Sequence, residues 1–418
     1  MFETLPARAA DAEGWAWPQI APYVDDLAAR PLGPETADAW LCDWSRLHLL
    51  VSEVGVRLHL AYDRDTRDAE AERRYLAFAQ EVAPPLEEAE QRLRRKLLDS
   101  GLCPDGMEVP LRDMRAEAEL FRAENLPLLV EETRLGAEYN KLIGAQSVLW
   151  EGRPTPLPRL QPVLEGPDRA LRERAWWLAR ERQLADREAL NALWRKLLRL
   201  RGQIAANAGH ADARGYLWEA YHRFDYTPDD CNTFREAIAE VCVPAATRIY
   251  ERRRRQLGVP TLRPWDLIDG TWRRPANPPG QPPLRPYDNM PGLLGKSAAL
   301  FQRLDPHLGA NFRTLVAEGL LDLESREGKA PGGYCTYLGV AKRPFIFMNA
   351  AGTHTDVQTL LHEAGHAFHA FALAQLPFHQ QLSPPMEFNE VAAMAMELLA
   401  APELSGPDGL YSPADAAR

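Results

Sequence analysis

From Asp38 to Arg201 apolar residues recur every third or fourth position with few interruptions, as in "WLCDWSRLHLLVSEVGVRLHLAY" and "AERRYLAFAQEVAPPLEEAEQRLRRKLL". That period is helical, and it leaves little room for strands of period two. Breaks fall at "LCPDGMEVP" and "EGRPTPLPRL", and the run from Asp168 to Ala208 predicts one or two long helices. A further helix is predicted to start at Thr227 and Pro228, an N-cap and first-turn pair. Pro and Gly then accumulate between Pro264 and Gly292, which predicts a long connecting loop. Strand character is convincing only beyond it, in "GGYCTYLG" and "RPFIFMNA", which are short, aromatic or β-branched, and bounded by Gly and Pro. The expectation is a mainly α fold with a small sheet near the C-terminal end.

The 418 residues are enough for two to three domains and a large core. A net charge of −10 argues against a general nucleic-acid or anionic-membrane surface. Arginine is abundant but alternates with Glu along helical stretches, as solvated helix faces require. The run Arg252 to Arg255 falls near a predicted helix C-terminus, where it complements the dipole, and no aromatic residues interleave it. No basic segment followed by an apolar run opens the chain, and no apolar run of about 18 residues interrupts it, so neither a signal peptide nor a membrane span is expected. The five cysteines (Cys42, Cys103, Cys231, Cys242, Cys335) are scattered without a CxxC pair. A reduced, cytoplasmic setting follows.

The ten histidines are unevenly spread, and five of them lie between His354 and His379. Within "LLHEAGHAFHAF", His362 and His366 stand four apart on an apolar helical stretch. Both imidazoles therefore project from one face, one turn apart, where two nitrogens can reach one tetrahedral metal ion. Glu363 lies beside them and can take a proton from a metal-bound water, which is the mechanics of the HExxH pattern. A third ligand is available in "PPMEFNEVAAMAMELLA", which opens with a helix-start signal at Ser383 and Pro384. Glu390 is the chosen ligand and Glu387, one turn earlier, the reserve. Glu397, two turns on, suits a carboxylate that orients a ligand histidine. His369 is expected to support the site by packing or hydrogen bonding, and Met394 and Met396 read as core.

The stretch "YCTYLGVAKRPFIFMNAAGTHTDVQTLLHEAGHAFHAF" resembles the M3 metallopeptidases, specifically the oligoendopeptidase F type. The matching positions are His362, Glu363, Gly365, His366 and His369, then Phe388 and Glu390. "LRPWDL" (Leu262 to Leu267) and "SVLWEG" (Ser147 to Gly152) resemble upstream landmarks of that family. The resemblance implies a zincin-type metallopeptidase with two helical lobes around a deep channel and a small β-sheet beside the HExxH helix. It divides the chain into an N-terminal helical region, 1–150, and a catalytic region, 151–418. It implies cleavage of internal bonds in short peptides, with folded proteins excluded by the channel. One Zn2+ per chain would be held by His362, His366 and Glu390, with Glu363 as base and then proton donor. The strand around Phe345, Phe347 and Asn349 would pair with substrate backbone, and Gly332, Gly333 and Tyr334 would offer backbone to the same peptide.

In that family a further helical region follows the third ligand and carries a His and Tyr residues that hydrogen-bond the tetrahedral intermediate. Here no His follows His379, and Tyr411 is the only later Tyr before Arg418. The catalytic region is therefore expected to be incomplete, with apolar surface left to cover. Either a C-terminal fragment of the same protein or self-association would cover it. Two rival readings stand beside the peptidase: a weak or inactive relative that binds peptides, and a helical interaction protein with a chance motif.

Overall fold

The computed structural model describes residues 1–267, 277, 281–406 and 408–417. Much of the predicted connecting loop (268–276 and 278–280) lies outside the described residues, as does Arg418. Helices α1 (Trp17–Ala29), α2 (Ala37–Arg64), α3 (Ala69–Glu81), α4 (Ala83–Asp99), α5 (Glu108–Leu120) and α6 (Leu126–Gly144) come first. A hairpin of β1 (Ser147–Trp150) and β2 (Arg153–Pro156) follows. Next come α7 (Gln161–Leu164), α8 (Arg169–Ala185), α9 (Arg187–Asn207), α10 (Ala213–Ala220), α11 (Pro228–Ala237) and α12 (Val243–Leu257). The last part holds α13 (Met290–Leu304), α14 (Pro306–Ala317), β3 (Leu321–Glu324), β4 (Tyr334–Leu338), β5 (Arg343–Ala350), α15 (His354–Leu373), α16 (Met386–Ala400) and α17 (Pro413–Ala416). Among the described residues no helix is long and apolar enough to cross a membrane.

The mainly helical expectation holds. The long run after Asp168 is two helices, α8 and α9, and the Asp168 carboxylate caps the first by accepting from the amides of Ala170 and Leu171. Thr227 caps α11 as its sequence predicts. Arg254 pairs with Glu251 and donates to the carbonyl of Val259 just past the α12 C-terminus, the helix-end role expected of the arginine run. Strand content is wider than "GGYCTYLG" and "RPFIFMNA" alone. The hairpin β1–β2 and the short acidic β3 ("LDLE") carry no hydrophobic alternation long enough to announce them.

Among the described residues two large cores hold the chain, with two smaller clusters beside them. One forms around α2, where Trp40, Leu41, Trp44, Leu47, Leu50, Val51, Val54 and Leu58 line a single face and are buried. The other gathers α13, α14, β5 and α15 through Leu300, Phe301, Phe312, Ile346, Leu360 and Ala364. Polar contacts from α2 tie the two together. Buried Glu53 accepts the amides of Val340 and Ala341 at 2.7 and 2.9 Å, in the turn between β4 and β5. Buried Asp63 accepts the Tyr334 hydroxyl at 2.8 Å, and its carbonyl accepts the amide of Ala330. The sheet that borders the histidine helix is thereby fixed to the N-terminal half of the molecule.

The larger sheet has strand order β3–β5–β4. β5 lies in the middle, parallel to β3 and antiparallel to β4, with Phe347 opposite both Asp322 and Tyr334. Its apolar run is buried on both faces, as a central strand requires. β4 is the edge.

Candidate active site

Helix α15 starts at a strongly built N-terminus. The Asp356 carboxylate accepts the amides of Ala351, Gly352 and Thr353 and the hydroxyl of Tyr287, all at 2.6 to 3.0 Å. Three backbone donors at the helix start are satisfied at once, and the negative charge sits at the positive end of the dipole. From there Val357, Leu360, Leu361, Ala364 and Phe368 face the core. That face turns His362 and His366 to the other side, toward a cavity of about 430 Å3.

Helix α16 delivers the carboxylates. His362 Nδ1 lies 2.8 Å from Glu397 Oε1, which leaves His362 Nε2 facing Glu390 Oε2 at 3.2 Å. His366 Nε2 lies 3.7 Å from the other Glu390 oxygen. One ligand atom from each of His362, His366 and Glu390 falls within 4.8 Å of the other two. Two imidazole nitrogens and one carboxylate oxygen form a donor set suited to zinc with one position left open, and Glu397 provides the outer carboxylate that fixes a ligand tautomer. Burial, more than any neighbouring charge, holds His366 below the usual imidazole range, so it stands ready as a neutral ligand.

Glu363 is 6 % exposed. Burial pushes its carboxyl up to about 7, against the opposing effects of His362 and of a hydrogen bond from the Cys335 backbone. A dication held by the three donors would lower it again. Glu363 therefore sits beside the cluster without belonging to it.

Close helix packing makes this geometry possible. A Cβ built on Gly365 would lie 2.6 Å from Ala393 Cα and 2.7 Å from the Ala392 carbonyl oxygen. Only glycine lets α16 approach near enough for Glu390, less than one turn before Ala393, to reach both histidines. Gly-to-Ala in a helix interior ordinarily stabilises by up to about 1 kcal/mol. Gly365→Ala should reverse that sign and cost about 1–3 kcal/mol, because backbone atoms would have to move. Thermal unfolding reads the sign directly, and a rise in Tm would contradict the packing argument.

Several expected residues take other positions. Glu387, the reserve ligand, accepts from Arg223 Nε at 2.6 Å and from the Tyr226 hydroxyl, away from the histidines. His369 lines the cavity but packs edge-on against Phe388 at 6.1 Å, and no hydrogen bond links it to His362 or His366. Met396 is buried as expected, whereas Met394 is exposed on a face of α16 shared with Val391 and Leu398.

The expectation that the strand around Phe345 to Asn349 pairs with substrate needs correction. β5 is bonded to a neighbour on each side, and the Phe345 and Phe347 side chains are buried in the core. Asn349 donates to the carbonyls of Ala330 and Gly332 at 2.8 and 3.0 Å, holding the preceding turn. Gly332, at φ +91°, belongs to that turn. The strand that borders the cavity is β4, and Gly333, Tyr334, Cys335, Thr336 and Tyr337 form its wall. The signal was present in the sequence. "PFIFM" is continuously apolar and therefore central, while "YCTYL" mixes polar and apolar positions as an edge strand does.

Comparison with known proteins is consistent with this geometry. A search of curated proteins finds no match. Among solved structures, one assigned as an oligoendopeptidase F superposes with a TM-score of 0.88 at 26% identity, covering 96% of this chain and 70% of that one. PZ peptidase A with an inhibitor gives a TM-score of 0.90 at 24% identity, covering 100% and 72%. A Bacillus anthracis strain Ames structure, also assigned as an oligoendopeptidase F, gives 0.87 at 21%, covering 96% and 72%. The sequence profile of peptidase family M3 matches residues 163–406, which is more than half of the chain and includes both histidines and Glu390. A chance motif on an unrelated helical protein is thereby excluded, and the chain belongs to peptidase family M3.

Proposed function

We propose that the chain is a zinc-dependent endopeptidase that hydrolyses internal bonds of short peptides. The reading rests on the convergence of His362, His366 and Glu390, with buried Glu363 beside them. His362 Nε2, His366 Nε2 and the Glu390 carboxylate would hold the ion. Zinc, when bound, supplies a Lewis acid that polarises the scissile carbonyl and acidifies a water. Glu363 takes a proton from the attacking water on its carboxylate and returns it to the leaving amine nitrogen. Glu397 keeps His362 Nδ1 engaged, so that Nε2 stays directed at the ion. The free edge of β4 bonds the backbone of an extended peptide, which favours short, unfolded substrates. Burial of the Cys335 thiol pushes its pKa well up, so it serves as a neutral wall residue and not as a nucleophile.

Cleavage of an internally quenched peptide, lost with a chelator and restored by zinc, tests the proposal. A preparation that holds zinc on these residues and leaves all such peptides intact would favour a binding role instead. The ligand choice has its own test. Glu390→Ala should weaken zinc binding by more than the roughly 10–100-fold typical of a lost supporting residue. Glu387→Ala should leave it nearly unchanged, since that carboxylate is committed to Arg223 and Tyr226. Competition with a chromogenic chelator measures both, and the reverse order would move the third ligand by one turn.

A further inference from the structure

Among the described residues one other trio of metal-ligating side chains converges. Ligand atoms of His48, Glu90 and His379 all lie within 4.8 Å of one another. They come from α2, from α4 and from the connection between α15 and α16. His48 Nδ1 is 3.2 Å from Glu90 Oε1, and the His48 and His379 rings are stacked at 4.0 Å. The Glu90 and His379 side chains are buried, and His48 is about one-third exposed.

Each buried member has its second polar atom anchored. Trp44 Nε1 donates to Glu90 Oε2 at 2.8 Å, which leaves Oε1 for the centre of the trio. Ser45 Oγ sits 3.1 Å from His379 Nδ1 and accepts the His379 amide at 2.9 Å, which leaves Nε2 of that ring uncommitted. Outer hydrogen bonds of this kind orient metal ligands. The trio borders a cavity of about 130 Å3, room for an ion and a few waters but not for a peptide. Asp113, Glu117 and His222 also face it. Arg94 faces it too, but its guanidinium is paired with Glu87 and Glu117, both at 2.9 Å. The acidic groups thus outnumber the cation.

A second, independent observation points to a bound group. Gln380 lines the same cavity, and both its Oε1 and Nε2 are buried without a hydrogen-bond partner. Native proteins rarely leave both ends of a buried amide unsatisfied, and ordered water around an ion would satisfy them.

We propose that His48, Glu90 and His379 form a second transition-metal site, structural in role. Two imidazoles and one carboxylate select zinc or a similar borderline ion over magnesium or calcium, which take oxygen ligands. The ion replaces the hydrogen bond between His48 and Glu90 and draws in His379. It thereby fastens the connection between the two helices that carry the first site to the N-terminal helices.

The test counts zinc on the full chain by elemental analysis after equilibration with zinc chloride and gel filtration. With the first site removed by His362→Ala and His366→Ala, the chain should retain one equivalent. Adding His48→Phe, which keeps an aromatic ring against His379 but has no nitrogen, should abolish it. Glu90→Gln, which still accepts from Trp44, should independently weaken it more than tenfold in chelator competition. His48→Phe with the first site intact should bind one equivalent, and zinc should no longer raise its Tm as far as it raises that of the wild type. A first-site variant that retains no zinc overturns the proposal. So does one whose remaining zinc survives His48→Phe.

Discussion

Glu363→Gln should lower peptide turnover by about 10²–10⁴-fold, the range that a positioned general base contributes. The fall should appear in kcat, with KM little changed, because a proton transfer made only in the transition state is lost. Zinc content should stay at the wild-type value. Glu363 stands outside the trio of His362, His366 and Glu390, and glutamine matches its shape. Stability should not suffer either. The amide oxygen can still accept the Cys335 backbone hydrogen bond, and the variant no longer buries an ionisable group that burial pushes up to about 7. Burst-free kinetics on a quenched peptide, with zinc assayed on the same sample, separate these effects. A variant that cleaves at the wild-type rate would remove Glu363 from the mechanism. One that loses zinc would turn it into a ligand.

The legible parts of this site are those governed by local period. His362 and His366 at i and i+4, with Glu363 beside them, are fixed by the helix itself, and so is the relation of Glu390 to Glu397 on α16. The cap at Asp356 was present in "THTD", since a Thr followed three residues later by an acid is a helix-start pattern. What could not be read depends on distant partners. What keeps Glu387 away from the histidines is its engagement by Arg223 and Tyr226, more than 160 residues earlier. The need for Gly365 comes from the backbone at Ala392 and Ala393, a contact that a sequence does not display. The exposure of Met394 has the same origin, because helical period gives a side chain's direction but not whether another element lies there. Which of β4 and β5 is central is legible in principle, because the continuously apolar "PFIFM" needs cover on both faces and "YCTYL" does not.

Lys329→Met should be the most destabilising substitution near the site, and its cost should grow with pH. Lys329 has no exposed side-chain surface. Its ammonium reaches Asp322 Oδ1 at 2.8 Å and the carbonyls of Asp322, Glu324 and Met348 at 2.9, 3.0 and 2.6 Å. It thus joins β3 to β5 just before the turn that leads into β4. Methionine fills the space but leaves buried carbonyls unpaired and Asp322 without one of its cations, at a cost of about 3–5 kcal/mol. Arg326 remains beside Asp322 at 2.7 Å, which argues for the lower end of that range. The pH dependence follows from both partners. Burial would raise Asp322, but hydrogen bonds from Arg326 and Lys329 outweigh it and hold the carboxyl at about 2. Its stabilising contribution is therefore complete above the unfolded value near 4 and is lost as pH falls toward 2. Burial depresses Lys329 to about 8, below its unfolded value near 10.5. Between those values the unfolded chain binds more protons than the folded one, so wild-type stability gains with rising pH, and the methionine variant has no such gain. The stability gap between the two proteins should narrow from pH 4 to 2 and widen from pH 8 to 10.5. Urea unfolding at matched pH values reads the gap with all other titrations common to both chains. A gap that stays flat across both windows would mean that the ammonium is not buried among these acceptors. The turn before β4 would then be held by the Asn349 hydrogen bonds and by the packing around Phe345 and Phe347.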